Sequence, residues 1–149
     1  ALIAPTVNSF KRFVPDLSAP VNLEWGYDNR TTGLRVPFDS DDHGRVENRI
    51  SGADANPYLF IATTLACGLL GLEQELEPRH PVEDSAYNRS STFPVDLNAA
   101  LDRLERCEPI VTLFGKDLID TFVLIKHAEL QHFFSEISPW ERRFLADSL

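Results

Sequence analysis

Arg45-Val46-Glu47-Asn48-Arg49-Ile50-Ser51-Gly52-Ala53-Asp54-Ala55-Asn56-Pro57-Tyr58-Leu59 is the stretch in which the chain changes its period. Up to Ile50, charged residues alternate with apolar or amide ones, the two-residue repeat of a strand. Val46 and Ile50 are then expected to point into a core, opposite the charges. After Asn56-Pro57 the apolar residues run at helical spacing to about Leu76. Asn56 suits the N-cap, and Pro57 suits the first helical position, where an N–H has no partner anyway. This helix is apolar on nearly all sides until Glu73, which predicts a buried central helix. Gly68 and Gly71 lower its propensity by roughly 1 kcal/mol each, so close packing is expected to compensate.

Upstream, the short segment 6–13 is closed by Pro15, and prolines bracket the loop 15–20. Val21 to Tyr27 and Thr31 to Val36 are rich in aliphatic, β-branched and aromatic residues and read as strands. Asp28-Asn29 between them predicts an antiparallel hairpin. A polar turn over 39–44 leads to the third strand, 45–50. Downstream, residues 77–96 carry three prolines and form a long loop. A helix starts at Asp96 or Asn98 and runs to about Cys107, another runs from about Lys116 to Ile137, and Ser138-Pro139 opens the last. The fold class is α+β in one domain over 1–149. Antiparallel strands occupy about 1–50, and the buried central helix and three further helices occupy about 56–149.

The formal charge of −9 on 149 residues leaves no general positive field for collecting phosphates, which excludes a nucleic-acid binder. The apolar stretch from Tyr58 to Leu72 is shorter than the roughly 20 residues needed to cross a bilayer. Cys67 reads as a small core residue. With only one other cysteine, Cys107, far along the chain, no disulfide framework is expected and a cytoplasmic setting is. The charge is unevenly spread. Residues 1–50 hold six basic and seven acidic groups, against eight and sixteen in 51–149.

The basic groups of the first third are mostly arginines in strand-like text. On a strand, Arg45, Glu47 and Arg49 share one face, so two guanidiniums flank one carboxylate. That pattern is either a salt-bridged solvent face or a site for an anion and its metal. Guanidiniums grip carboxylate or phosphate bidentately, and a carboxylate between them can ligate Mg²⁺. Arg30 and Arg35, five apart, fall on opposite faces of a regular strand, unless Gly33 marks a bulge or Arg30 sits in the turn. With Arg12 there are five such arginines and too few local acids to pair them all. A shared anion site becomes the favoured reading.

Asn8-Ser-Phe-Lys-Arg-Phe13, Asn29-Arg-Thr-Thr-Gly-Leu-Arg-Val-Pro37, Arg45-Val-Glu-Asn-Arg49 and Gly52-Ala-Asp-Ala-Asn-Pro-Tyr-Leu59 follow one another in the order and spacing of glutamine synthetases. The resemblance covers the whole chain and only the C-terminal part of such an enzyme. The chain starts in mid-pattern, without Met, as a fragment would. The resemblance implies that Arg12 and Arg49 hold the carboxylates of substrate glutamate and that Arg30 stabilises charge on the transferring phosphoryl group. It implies that Arg35 and Arg45 meet the nucleotide phosphates, and that Glu47 binds the Mg²⁺ or Mn²⁺ bridging ATP and substrate. The implied chemistry is ATP-dependent phosphorylation of the glutamate side-chain carboxylate, followed by attack of an amine on γ-glutamyl phosphate.

One departure bears on the amine. Ammonia-using members of that family place a glutamate where this chain has Ser18. A serine lacks both the charge to attract ammonium and the basicity to deprotonate it. Trp25-Gly26-Tyr27 and the closing Ser138-Pro-Trp-Glu-Arg-Arg-Phe144 also resemble the γ-glutamylpolyamine (γ-glutamylputrescine) synthetase branch. A polyamine is therefore the expected acceptor. The alternatives are ammonia, as in glutamine synthetase proper, and a non-catalytic scaffold use of the fold. The family resemblance further implies a homo-oligomer for the full-length enzyme, and a fragment inactive alone because other metal ligands lie upstream.

Overall fold

The switch from strand to helix is capped as expected. In the computed structural model, which describes residues 1–38, 44–90 and 93–146, the Asn56 side chain accepts the backbone N–H groups of Tyr58 and Leu59. Helix α1 then runs Pro57–Glu73. Asp96 caps α2 (Leu97–Glu105) by accepting from Ala99 N at 2.8 Å. Two more helices follow, α3 (Glu108–Phe114) and α4 (Lys116–Ser135), and a last one, α5 (Pro139–Ala146). The reading of one helix ending near Cys107 and the next starting near Lys116 passed over α3. Gly115, at φ +84°, breaks the helical path between α3 and α4.

The strands are β1 (Trp25–Tyr27), β2 (Leu34–Val36) and β3 (Glu47–Asn48), in the order β1-β2-β3. They precede the five α-helices of the described residues, which is the α+β class expected. The pairing corrects the predicted hairpin: β1 and β2 are parallel, and only β2 and β3 are antiparallel. The reason lies in Asn29, which does not close a two-residue turn. Its Oδ1 accepts from the backbone and hydroxyl of Thr31, and its Nδ2 donates to the carbonyls of Val82 and Asp84. Committed to a distant segment, the loop 28–33 carries the chain around until it runs again in the direction of β1.

Residues 82–86 of the long loop thereby become part of the fold. Val82 N donates to Trp25 O at 2.8 Å, and the Asn22 amide donates to Ala86 O at 3.0 Å. Gly33 packs so closely on Asn22 that an added Cβ would stand 2.4 Å from its carbonyl oxygen. The polar turn read over 39–44 lies, apart from Gly44, outside the described residues.

The apolar core is built by Leu2, Leu97, Leu101, Ile119, Val123 and Leu130, mainly between α2 and α4. Helix α1 joins it through Leu59, Ala66 and Leu70, which are only partly buried. The expectation of a buried central helix is therefore corrected: no residue of α1 is buried. Tyr58, Ile61, Leu65, Leu69, Leu72 and Leu76 form one exposed line along it and just beyond its end, with Tyr58 at 83% and Leu72 at 79% exposure. Cys67, read as a core residue, is exposed as well, and Val46 faces outward instead of into a core. An apolar composition predicts that a helix needs cover, not that the cover lies within the same 149 residues.

Exposed apolar surface of this extent is characteristic of surfaces that associate. The Leu65→Glu/Leu72→Glu double variant is expected to self-associate less in sedimentation velocity while changing stability by no more than about 0.5 kcal/mol, as for exposed positions. Leu101→Ala, at a fully buried site, is expected to cost about 2–5 kcal/mol in chemical denaturation.

Candidate functional site

Glu47 on β3 stands opposite Arg35 on β2 in the antiparallel register. Arg35 Nη1 donates to Oε2 of Glu47 at 2.8 Å. Arg49, two residues along and so on the same side of the strand, donates from Nη1 to Oε1 at 3.0 Å. One carboxylate thus receives a guanidinium on each oxygen. The two-on-one pattern read in the sequence is present, but the partner of Arg49 is Arg35 rather than Arg45, which is exposed. Cross-strand register decided this, and the register could not be read from alternation within one strand.

Each arginine has a second commitment. Arg35 donates from Nε to Oδ1 of Asp28 at 3.0 Å, and Nη2 donates to the same oxygen. Arg49 donates from Nη2 to the backbone carbonyl of Ser18 at 3.0 Å, while its Nε is buried and has no acceptor among the described residues. Ser18 and Asp16 both lie at positive φ, +71° and +64°, an uncommon region for residues with a Cβ. The Arg49 bond ties this tight loop to β3.

Arg12 ends a short 3₁₀ turn, Ser9–Arg12, and donates from Nη1 to Ile50 O at 3.1 Å. With Lys11, Leu17, Ser18 and Ala19 it lines a cleft of about 300 Å³. Arg12, Ser18, Arg49, Glu47 and Arg35 therefore form a continuous series, each joined to the next by a shared cleft wall or a hydrogen bond. Arg30 lies in the turn between β1 and β2, exposed and without an ion pair among the described residues, so the turn placement holds and a bulge at Gly33 is not needed.

Two acids of the site received no role in the sequence reading. Asp28 balances Arg35, a pairing visible only once β1 and β2 are known to be parallel. Asp54 lies in the Gly52–Leu59 motif and accepts hydroxyls from Ser9 and Thr6. Electrostatics follow from these contacts. The hydrogen bond from Arg35 is the main reason the Glu47 carboxyl lies below its ordinary value, with partial burial opposing and Arg49 adding to it. Arg35 is held above its ordinary value, first by Asp28 and then by Glu47.

The donor set bears on a metal. A hard divalent cation takes about six oxygen ligands. No group of three or more His, Cys, Asp or Glu side chains that could hold one occurs among the described residues. Glu47 accepts one hydrogen bond on each oxygen and keeps free lone pairs, so it fits one ligand of a metal site and no more.

Residues 1–145 match the family described as glutamine synthetase, catalytic domain. The chain is 36% identical to a glutamine synthetase of Methanococcus maripaludis over 152 residues, covering 96% of this chain and 34% of that protein. It is 37% identical to a gamma-glutamylputrescine synthetase of Escherichia coli over 134 residues, covering 89% of this chain and 28% of that protein. Among solved structures, a GmaS/ADP complex superposes with a TM-score of 0.85 at 32% identity, over 99% of this chain and 36% of that one. The chain spans about a third of the length of the curated relatives it matches.

The Glu47 cluster makes stability depend on pH in a fixed direction. Its folded pKa is depressed, so its contribution is fully present above the ordinary value of 4.5 and is lost as pH falls through the folded value. Glu47→Gln is expected to flatten that acid limb in denaturant titrations at stepped pH. Because Glu47 is 40% exposed, the difference should stay under about 1 kcal/mol. An unchanged acid limb in the variant would show that the pairs do not contribute.

Proposed function

The chain belongs to the glutamine synthetase family, and on that premise we propose that it forms the C-terminal part of the catalytic domain of an ATP-dependent carboxylate–amine ligase. The reaction joins an amine to the side-chain carboxylate of glutamate. The observation that carries the proposal is the Glu47 carboxylate set between Arg35 and Arg49, with Arg49 continuing to the Ser18 loop and the Arg12 cleft beyond it.

Each residue has a task in this reading. Arg12 and Arg49 hold the glutamate carboxylates. Arg12 spends a single N–H on Ile50 O, and Arg49 spends one on each Nη, which carries a second, so both retain donors for a ligand. Arg30 and Arg45, both exposed, would in this reading meet phosphate charge from the solvent side, Arg30 at the transferring phosphoryl and Arg45 at the nucleotide. Arg35 is assigned to the nucleotide phosphates too, where it would offer the N–H groups not given to Asp28 and Glu47. Glu47 supplies one ligand to a divalent cation, Mg²⁺ or Mn²⁺, which when bound neutralises phosphate charge. Catalysis then rests on positioning and charge neutralisation during in-line phosphoryl transfer to the glutamate carboxylate. The amine attacks the resulting γ-glutamyl phosphate, and phosphate leaves.

Ser18 supports a substituted amine over ammonia. It is exposed on the cleft wall, its backbone carbonyl faces Arg49, and its side chain carries no charge to capture ammonium. We place the active form in the cytoplasm as a homo-oligomer of the full-length enzyme. No helix among the described residues is long and apolar enough to cross a membrane.

Phosphate release from ATP by the full-length protein, supplied with glutamate, is expected to run at least about tenfold faster with putrescine than with ammonia, the size of effect that loss of one charged amine-site group produces. Ser18→Glu is expected to raise the rate with ammonia and lower it with putrescine. Equal or better turnover with ammonia in the unsubstituted enzyme overturns the polyamine assignment, and no turnover with either favours a scaffold role. The 149-residue chain alone is expected to release no phosphate, since it offers one metal ligand.

A further inference from the structure

Asp54 is gripped by hydroxyls from another part of the chain. Ser9 Oγ donates to its Oδ2 at 2.6 Å, and Thr6 Oγ1 donates to the same oxygen at 2.7 Å. Those hydroxyls are themselves fixed. Thr6 N donates to Ser9 Oγ at 3.0 Å, Ser9 N donates to Thr6 Oγ1 at 3.1 Å, and Ser9 is only 1% exposed. Asp54 lies at the surface, so this clamp rather than enclosure sets the direction of its carboxylate.

With Oδ2 engaged, Oδ1 faces Gly52. A Cβ built on Gly52 would stand 2.6 Å from Oδ1 and 2.8 Å from Nη1 of Arg12. The carboxylate and the guanidinium therefore face each other across the one residue with no side chain to separate them. They attract without a direct ion pair. Burial acts to raise the Asp54 pKa, and the Ser9 and Thr6 hydroxyls bring it below the ordinary value with a smaller contribution from Arg12. Arg12 keeps the rest of its donors, since its one hydrogen bond among the described residues goes to Ile50 O.

We infer that Asp54, clamped by Ser9 and Thr6, is a positioning residue that orients the Arg12 guanidinium across Gly52 and so sets the affinity of the cleft for a carboxylate ligand. The inference rests on the reading of Arg12 as a glutamate-binding arginine. A long side chain ordered before its ligand arrives loses less freedom on binding, which is how a residue that touches no substrate changes affinity. Gly52 leaves room for this arrangement, because a Cβ there would make the Arg12 and Asp54 side-chain ends shift.

The experiment measures steady-state kinetics of the full-length protein with glutamate and ATP varied separately. Asp54→Asn, which keeps shape and removes charge, is expected to raise the glutamate KM about fivefold to tenfold, with kcat and the ATP KM within about twofold, the signature of lost ligand binding. Ser9→Ala, which leaves the carboxylate in place, should shift the glutamate KM the same way by less. Arg12→Gln should raise the glutamate KM at least as far, and adding Asp54→Asn to it should do nothing more, because Asp54 acts through Arg12. An unchanged glutamate KM in Asp54→Asn alongside a raised one in Arg12→Gln overturns the inference, as does a parallel rise in the ATP KM. An Arg12→Gln enzyme with normal glutamate KM defeats the ligand assignment instead. Nitrogen-15 relaxation of the Arg12 Nε–H group in the 149-residue chain then decides the positioning claim. Asp54→Asn or Ser9→Ala should make that group more mobile, and unchanged mobility in both overturns it.

Discussion

A carboxylate that accepts one guanidinium on each oxygen organises this site. Glu47 joins β2 to β3 through Arg35 and joins β3 to the Ser18 loop through Arg49. Both arginine side chains are mostly covered, at 18% and 15% exposure, and a covered guanidinium needs an anion close by. Removing Glu47 would leave Arg49 without its carboxylate partner, while Arg35 would keep Asp28. Among the described residues the sheet is three short strands. Charge pairing and the hydrogen bonds of Asn22, Asn29 and Thr31 hold it in register more than apolar burial does.

Much of the fold was legible because its signals are local. Asn56 and Asp96 cap their helices from within two or three residues, and Ile119, Val123 and Leu130 bury the face their spacing marks. The parallel pairing of β1 with β2 was not legible, since Asn29 is satisfied by carbonyls more than fifty residues away. Helix α3 was missed although Gly115 carried the necessary break, because a seven-residue helix offers too few turns for periodicity to register. In the site, Glu47 and Arg49 could be assigned to one face from alternation alone. Their third member could not, because Arg45 and Arg35 are equally plausible partners until the register is known.

The exposed line on α1 follows from the same distinction between composition and context. The sequence records that this helix is apolar on nearly every side, and the structure covers only the side holding Leu59, Ala66 and Leu70. The remaining side is continuous, from Tyr58 to Leu76, and borders a groove shared with Leu113 and Phe114 of α3. Surfaces of this kind are rare on proteins that act alone. Burial is a property of an assembled molecule, and a helix reports only its need for it.

The five arginines divide by how many donors they have already given away. Arg35 gives three N–H groups to Asp28 and Glu47, so an anion reaching it would use the two that remain or share with a carboxylate. Arg49 has given one donor from each Nη, and its Nε is enclosed without an acceptor among the described residues. Arg12 has given one donor to a carbonyl and is oriented by a carboxylate it does not contact directly. Unspent donors already held in place are what a preorganised anion site requires, because a ligand then meets N–H groups that have no better partner. By that criterion Arg12, with most of its N–H groups uncommitted beside a cleft, comes nearest to such a site, and Arg35, turned toward two carboxylates, stands furthest from it.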